Sequence, residues 1–395
     1  MTSTSIREIT GKEMLEVMYQ LNAYAFEPSP PLVDKGESEE ALRERQGVTC
    51  FALSEDGEPV ANVASTRMSQ QVRGKVYGMS GIWGVATHPE ARRKGYSRRL
   101  LAHLLSANRQ AGRPLSCLYP FRESFYERLG YAVFPQPRMA KFDPSVLAPL
   151  VKENLGGELE RMLIGDGYEA YRDYLFRLQP RLHGMALFDY GEKARAQKRN
   201  QWWLAFAKSA GEIAGVMLYE LRGERVTEFK MRAIRFYYET SQGKYLLLQW
   251  IARHIDQANQ VEIWLPPFEQ PGTWLADIRP ALKSVFFAPM GRVVDVAEIG
   301  GMQVGPGRFC ARITDSLCPW NEGVWDFETV DGLLQISPAD TPDCDLGVQA
   351  LAALIYGTHD PGDFAFRGWG NPSPEIQKVL RVMFPPMIPY LHEMF

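Results

Sequence analysis

Twice along the chain a tight hairpin is followed by a strand, an amphipathic helix and a short apolar strand. This repeat of structural order constrains the fold more than any other feature of the sequence. In the first copy, Thr49–Ser54 and Pro59–Met68 read as paired strands around Glu55-Asp-Gly-Glu58, where Asp-Gly suits the positive φ of a tight turn. Val76–Thr87 follows as a strand. The next helix runs to about Gln110 with Leu100, Leu101, Leu104 and Leu105 on one side, and Leu115–Tyr119 is a short apolar strand. In the second copy the hairpin is Trp202–Ala207, the turn Ser209-Ala-Gly-Glu212, and Ile213–Leu221. Thr227–Arg235 is its strand, Ser241–Gln257 its helix and Val261–Leu265 its last strand.

Around these copies the chain carries further local signals. Thr10-Gly-Lys-Glu13 predicts a capping box for a helix that starts near Gly11, carries Met14, Leu15, Met18, Leu21 and Ala25 on one face, and stops at Pro28–Pro31. A charged helix is expected around Ser38–Gln46. Arg122–Leu129 predicts a short helix stopped by Gly130, and Tyr131–Phe134 a strand. Asp143–Gly157, with Pro144, Pro149 and Gly156-Gly157, reads as a linker. From about Val285 the composition changes: Val293–Ile299, Arg308–Asp315, Val324–Thr329 and Leu333–Ser337 read as strands, with Asp331-Gly332 turning the last pair. Asp345–Tyr356 and Pro374–Phe384 read as helices, and an apolar segment runs to Phe395. The expected architecture is α+β around mostly antiparallel sheets, divided at 1–145, 146–285 and 286–395.

Composition removes several function classes. Forty-four basic against 47 acidic side chains leave a formal charge of −3, which does not suit a global nucleic-acid binder. No stretch reaches the roughly 20 apolar residues of a membrane helix, so no membrane insertion is expected. Met1–Glu8 has no apolar leader core, so the cytoplasm is the expected compartment. Cys50, Cys117, Cys310, Cys318 and Cys344 are scattered without a C-x-x-C pair, and the six histidines form no H-E-x-x-H. No metal site is expected from those spacings. A G-x-S-x-G nucleophile elbow is also missing.

The informative stretch is Ile82-Trp-Gly-Val85-Ala-Thr87-His-Pro-Glu-Ala-Arg92-Arg93-Lys94-Gly95-Tyr96-Ser97-Arg98-Arg99. A strand leads into a turn with three consecutive cations, and a glycine opens an amphipathic helix. Backbone N–H groups at a helix start have no intrahelical acceptor, and the helix dipole places partial positive charge there. With Arg92, Arg93 and Lys94 beside it, such a helix start suits a diphosphate. On charge alone the run also fits a solvated helix start or a nucleic-acid patch; the patch predicts a steep salt dependence of binding.

R-x-x-G-x-small after a strand, followed by a second strand and by Phe125-Tyr126-Glu-Arg-Leu-Gly130-Tyr131, resembles the GCN5-related N-acetyltransferase (GNAT) superfamily. The order of a first acetyltransferase domain, a degenerate second copy and a C-terminal domain similar to sterol carrier protein resembles the Eis (enhanced intracellular survival) family. The resemblance implies two tandem GNAT-like α/β domains, 1–145 and 146–285, followed by a sterol-carrier-like domain, 286–395. It implies acetyl-CoA as cosubstrate, with contacts from Val85, Ala86 and Thr87 and from the loop carrying Arg92, Arg93, Lys94, Gly95, Tyr96, Ser97 and Arg98. It also implies Tyr126 as the acid that protonates the departing thiolate, and the α-carboxylate of Phe395 as general base. Acceptors in the family are aminoglycosides, polyamines or lysine side chains, and a homo-hexamer is the common assembly. Phe121 and Arg122 stand where the family has Ser-Glu, and Ser97 where the superfamily prefers Gly or Ala. Met394 and Phe26 are not acidic, although large amine pockets of the family usually are. Glu239-Thr-Ser-Gln-Gly243-Lys244, at the equivalent place in the second copy, has lost the cationic run, so that copy is expected to bind no cofactor.

The acid needs little tuning, since a phenol with a reference pKa near ~10 is protonated at neutral pH. The base needs more. A free α-carboxylate near ~3.5 faces an alkylammonium near ~10.4, a gap of about 7 units or roughly 9 kcal/mol that the surroundings must narrow. His392, with a reference value of ~6.5, needs the least adjustment and is the choice from residue chemistry alone; Glu393 is a further rival, and the family resemblance favours Phe395. A different class of function is a lipid or acyl carrier with vestigial acetyltransferase units, consistent with the apolar tail and the sterol-carrier-like part.

Overall fold

The structure, a computed structural model, describes residues 3–28, 30–285 and 287–395. Strand β1 (Thr4–Glu8) and helices α1 (Gly11–Phe26) and α2 (Lys35–Arg43) lead into three longer strands, β2 (Val48–Glu55), β3 (Glu58–Val72) and β4 (Lys75–Thr87). Helix α3 (Tyr96–Gln110) precedes β5 (Leu115–Leu118), the short α4 (Glu123–Glu127) and β6 (Ala132–Val133). The middle of the chain supplies β7 (Arg138–Phe142), β8 (Glu158–Leu163), α5 (Ile164–Leu178), β9 (Ala186–Phe188) and α6 (Lys193–Arg199). Next come β10 (Trp203–Ser209), β11 (Glu212–Arg222), β12 (Phe229–Tyr238), α7 (Ser241–Ala252), β13 (Ala258–Leu265) and β14 (Ala281–Ser284). The last part holds β15 (Met290–Val293), β16 (Arg308–Thr314), β17 (Gly323–Val330), β18 (Leu333–Pro338), β19 (Cys344–Gly347), α8 (Val348–Tyr356), α9 (Phe364–Arg367) and α10 (Pro374–Met383).

These elements pack as two units: Met1–Pro135 with Gln179–Tyr190 and Ala288–Phe395, and Gln136–Leu178 with Gly191–Phe287. In the first, the sheet order is β1-β2-β3-β4-β5-β15-β6, with β9 on β3. All neighbours are antiparallel except β4 and β5, which α3 joins as a crossover. Helix α1 covers one face, packing Met18 and Leu21 with Ala64 and Ala86. On the other face α3 buries Leu100, Leu101, Leu104 and Leu105 with Leu53, Val63 and Ile82. Strand β15 completes this sheet from the C-terminal part of the chain, pairing Met290 with Leu118 on one side and Val133 on the other. The same unit contains the four-stranded sheet β18-β17-β16-β19. Helix α8 is apolar on nearly every side, as expected of a helix that runs through a core.

The second unit has the order β14-β7-β13-β12-β11-β10-β8, and again a hairpin and a strand are joined through a helix, α7, to a parallel neighbour. The repeat expected from the sequence is therefore a repeat of topology. No described helix is long and apolar enough to cross a membrane.

Several local expectations give way to tertiary contacts. Thr10 is the N-cap of α1, but its side chain makes no capping bond, and Glu13 pairs with Arg7 instead of closing the box. The helix ends at Phe26, before the proline segment; Ser29 lies outside the described residues. Pro144–Lys152 of the expected linker is a 3₁₀ helix whose Leu147 and Leu150 are buried with Leu248 and Ile251 of α7. The strand expected at Val293–Ile299 lies earlier, at Met290–Val293. The chain leaves the sheet after Val293, where Val294 and Asp295 both donate their N–H to the Pro114 carbonyl.

Candidate active site

The site begins where two parallel strands part. Strands β4 and β5 pair from Met79 with Leu115 to Ile82 with Leu118. There β5 ends, while β4 continues to Thr87 along β3. Opposite Val63, two residues of β4, Gly84 and Val85, stand against one, a bulge that bends and twists the strand. Gly84 has φ +61°, and its carbonyl accepts from Asn62 Nδ2 at 2.6 Å. Ala86 and Thr87 therefore stay paired to β3, and among the described residues Val85, Ala86 and Thr87 present the other edge without a strand partner. Such an edge offers backbone N–H and C=O groups to an extended ligand.

The turn after Thr87 builds the second part. Arg93 has φ +65° and Gly95, the N-cap of α3, φ +79°. No side chain caps the helix. The first intrahelical bond runs from Arg99 N to Gly95 O, so the amides just before it have no acceptor within the helix. Thr87 Oγ1 lies 3.0 Å from Ser97 Oγ and ties the strand end to the helix start. The expected cations differ in their partners. Lys94 pairs with Glu55 at 2.9 Å, Arg98 donates to the carbonyl and hydroxyl of Ser316 at 3.0 Å, and Arg92 Nε reaches the Thr87 carbonyl at 3.3 Å. Arg93 is exposed and, among the described residues, has no ion-pair or hydrogen-bond partner. Tyr96 is buried and packs in the core beneath the turn.

Tyr126 sits on α4, 4% exposed, with Leu118, Ile82 and Val85 in the same core cluster. Its ring makes edge contacts with Phe125 at 5.0 Å and Tyr131 at 5.9 Å. Phe121, 63% exposed, stands 5.8 Å from it. Burial raises the phenol's pKa above its ordinary value and keeps it protonated.

The C-terminal tail reaches the fork. Tyr390 donates its N–H to the His183 carbonyl at 2.9 Å, and the Tyr119 hydroxyl donates to the Glu393 carbonyl at 3.0 Å. Beyond them the Phe395 ring lies 5.7 Å from the Tyr119 ring. It rests against Gly81, where β4 still pairs with Cys117 of β5. Of the three candidate bases, Phe395 sets its ring against Gly81, and the Glu393 carbonyl lies on Tyr119. His392 is 2% exposed, its Nε2 3.5 Å from Glu393 Oε1. Gly81 and Tyr119, which seat this end of the chain, carried no signal in the sequence: one is a strand glycine, the other the last residue of an expected strand, which the structure ends at Leu118.

The second unit treats the equivalent positions differently. Strands β12 and β13 also part, after Ala233 and Ile263. Here Thr240 Oγ1 caps α7 by accepting from Gly243 N at 3.0 Å, and Glu239 stands beside the cap, paired with Arg177 at 3.0 Å. Phe236 stacks on Trp274 at 5.5 Å, with both rings in the core. The cap takes up one amide of this helix start and Glu239 sets a carboxylate beside it, so it suits an anion less well than the start of α3.

Among the described residues, no cluster of His, Cys, Asp and Glu could hold a metal ion. Cys117, beside Gly81, is fully buried, and burial pushes its thiol up to about 12.

Residues 5–134 match the profile of the acetyltransferase (GNAT) domain, and residues 306–392 that of the sterol carrier protein domain. No curated protein matches the chain at a significant level. Three solved structures are similar along the whole of this chain and the whole of their own. A protein of unknown function from Enterococcus faecalis V583, described as a probable N-acyltransferase, is 19% identical with a TM-score of 0.83. A GCN5-related N-acetyltransferase from Anabaena variabilis is 16% identical with a TM-score of 0.82. Eis1 from Mycobacterium abscessus is 15% identical with a TM-score of 0.79. At these identities the likeness is one of fold.

Proposed function

We propose, from the match of residues 5–134 to the GNAT acetyltransferase domain, that the chain transfers the acetyl group of acetyl-CoA to a primary amine of a cationic small molecule, such as an aminoglycoside or polyamine, or of an exposed lysine. The observation that carries this reading is the fork: an unpaired strand edge that runs into an uncapped, cation-flanked helix start. Acetyl-CoA supplies an acetyl group already activated as a thioester. Val85, Ala86 and Thr87 hold its extended arm through backbone hydrogen bonds. The amides of Gly95, Tyr96, Ser97 and Arg98, with the charges of Arg92, Arg93 and Lys94, hold its diphosphate. In this reading 1–145 carries the chemistry, 146–285 is a copy without a cofactor, and 286–395 brings Phe395 to the fork.

Two proton movements complete the transfer. The α-carboxylate of Phe395 takes a proton from the attacking amine as the C–N bond forms. Tyr126 gives its phenolic proton to the sulfur as the C–S bond breaks, a role that burial favours by keeping the phenol neutral. A backbone donor on the Val85 edge meets negative charge that develops on the carbonyl oxygen.

The reading is tested by calorimetric binding of coenzyme A, together with thiol release over a panel of aminoglycosides, polyamines and lysine peptides. Binding with turnover of at least one amine is expected; no coenzyme A binding would overturn it. The base is tested separately. One or two residues appended after Phe395 are expected to abolish turnover and spare coenzyme A affinity, whereas full activity would transfer the role to His392, Glu393 or water.

A further inference from the structure

Helix α4 is too short to hold its own position; a single turn of isolated helix is unfavourable in water. Yet proton donation by Tyr126 requires its hydroxyl to be fixed to about 0.5 Å. The fixing groups come from the C-terminal part of the chain. The Glu127 carboxylate, next to Tyr126, accepts from the Arg367 guanidinium at 3.0 Å and from the Trp369 indole N–H at 3.1 Å. The Glu127 carbonyl accepts from Gln349 Nε2 at 2.9 Å.

Just past the helix, the Leu129 carbonyl accepts from Arg292. That guanidinium is fully buried on β15 and is held by both carboxylate oxygens of Asp315, at 2.6 and 2.7 Å. Asp315 is itself fixed by the N–H groups of Leu317 and Cys318 and by Asn321 Nδ2. Gly130 has φ +94°, and a Cβ there would fall on the guanidinium, so the glycine that ends the aromatic motif makes room for this anchor. Tyr126 is thus held from Glu127 and Leu129 at once.

From these contacts we propose that Arg292, Gln349, Arg367 and Trp369 are positioning residues: the sterol-carrier-like part clamps the short helix that carries the proton donor. The proposal rests on reading Tyr126 as that donor. A guanidinium–carboxylate pair and an indole N–H are directional, and they fix rotation of the helix as well as its depth. Apolar packing alone would fix the depth and leave the hydroxyl free to swing.

Substitution of Arg292 would leave Asp315 buried and unpaired and could unfold the protein, so the test uses two milder changes in the full chain. Glu127→Gln removes the charge that Arg367 meets. Trp369→Phe keeps a ring beneath Arg367, now 4.2 Å from its guanidinium carbon, and loses the N–H. The double variant is expected to lose about tenfold in kcat, with coenzyme A affinity and KM for acetyl-CoA unchanged, because a displaced reacting group costs rate rather than binding. In a Tyr126→Phe background the same two changes are expected to cost nothing further. Full kcat in the double variant, or an equal loss in the Tyr126→Phe background, overturns the clamp. Amide exchange over residues 124–131 is read in parallel: faster exchange in the double variant supports the clamp, and unchanged exchange overturns it. Tyr126→Phe by itself addresses the donor, since full activity there removes that role and leaves the exchange result standing.

Discussion

The ring of Phe395 occupies the space above Gly81: a Cβ at Gly81 would stand 2.7 Å from Phe395 Cδ2 and 2.8 Å from the Met68 sulfur. Real Cβ atoms do not approach so closely, so Gly81→Ala displaces one of two side-chain ends. Met68 is buried, whereas Phe395 is only partly buried. Gly81→Ala is expected to lower kcat by about tenfold or more through misplacement of the proposed base. Steady-state kinetics beside coenzyme A calorimetry check it; unchanged kcat would separate the seat of Phe395 from the chemistry.

Tyr126→Phe removes the proposed proton donor from a ring that still fits its pocket. A loss of about 100-fold in kcat is expected, the lower end of what a positioned acid supplies. Burial raises the folded-state pKa of this phenol above its unfolded value near 10. The unfolded chain therefore releases the proton first, and the stability Tyr126 contributes is full below pH 10 and lost as the pH rises further. Urea unfolding between pH 8 and 11 should show a steeper alkaline decline in the wild type than in Tyr126→Phe.

Arg93→Ala removes the loop cation that has no partner among the described residues. Coenzyme A affinity is expected to fall by about tenfold, the scale of a hydrogen bond to a charged group. The loss should shrink at high salt, where exposed charges are screened. Lys94→Ala should cost less, since that ammonium already meets Glu55. Titrations at two ionic strengths decide between them.

His183 places a pH-dependent term in the first unit. Its Nδ1 accepts the backbone N–H of Arg73 at 3.1 Å, so its Nε2–H donates to the Tyr356 carbonyl at 2.9 Å. Burial pushes its pKa down from 6.5 to about 4. Between those values the unfolded chain binds a proton that the folded chain refuses, so stability is full above pH 6.5 and falls toward pH 4, by about 3 kcal/mol. Urea midpoints across that range should fall in the wild type and fall less in His183→Asn, each referred to its own value at pH 7.5.

The local elements were largely legible. Asp56-Gly57 and Asp331-Gly332 each carry positive φ at both residues, as Asp-Gly implies, and Ala210-Gly211 does the same in the second hairpin. Helix α5 was not anticipated, although it spans Ile164–Leu178 with Tyr171, Tyr174, Leu175 and Leu178 buried; aromatic residues in a polar stretch blurred its apolar stripe. Thr10 and Glu13 have capping-box spacing, but a bidentate partner at Arg7 drew Glu13 away. At the candidate site, the motifs pointed to the stretch from Val85 to Arg98 and to Tyr126, whereas residue chemistry alone favoured His392 and only the family resemblance favoured Phe395. None of these pointed to Gly81, Tyr119 or Arg292.

Motifs set by near neighbours were readable from the chain alone: the alternation of a strand, the stripe of a helix, the positive φ of an Asp-Gly turn, the cations before Gly95. Their energies depend on residues a few positions apart. Only the tertiary structure decided that β4 parts from β5 at Ile82, that Arg292 reaches the Leu129 carbonyl across 163 positions, and that Phe395 comes to rest on Gly81. Such contacts form when burial of apolar surface brings remote segments together, and the sequence around either partner carries no imprint of the other.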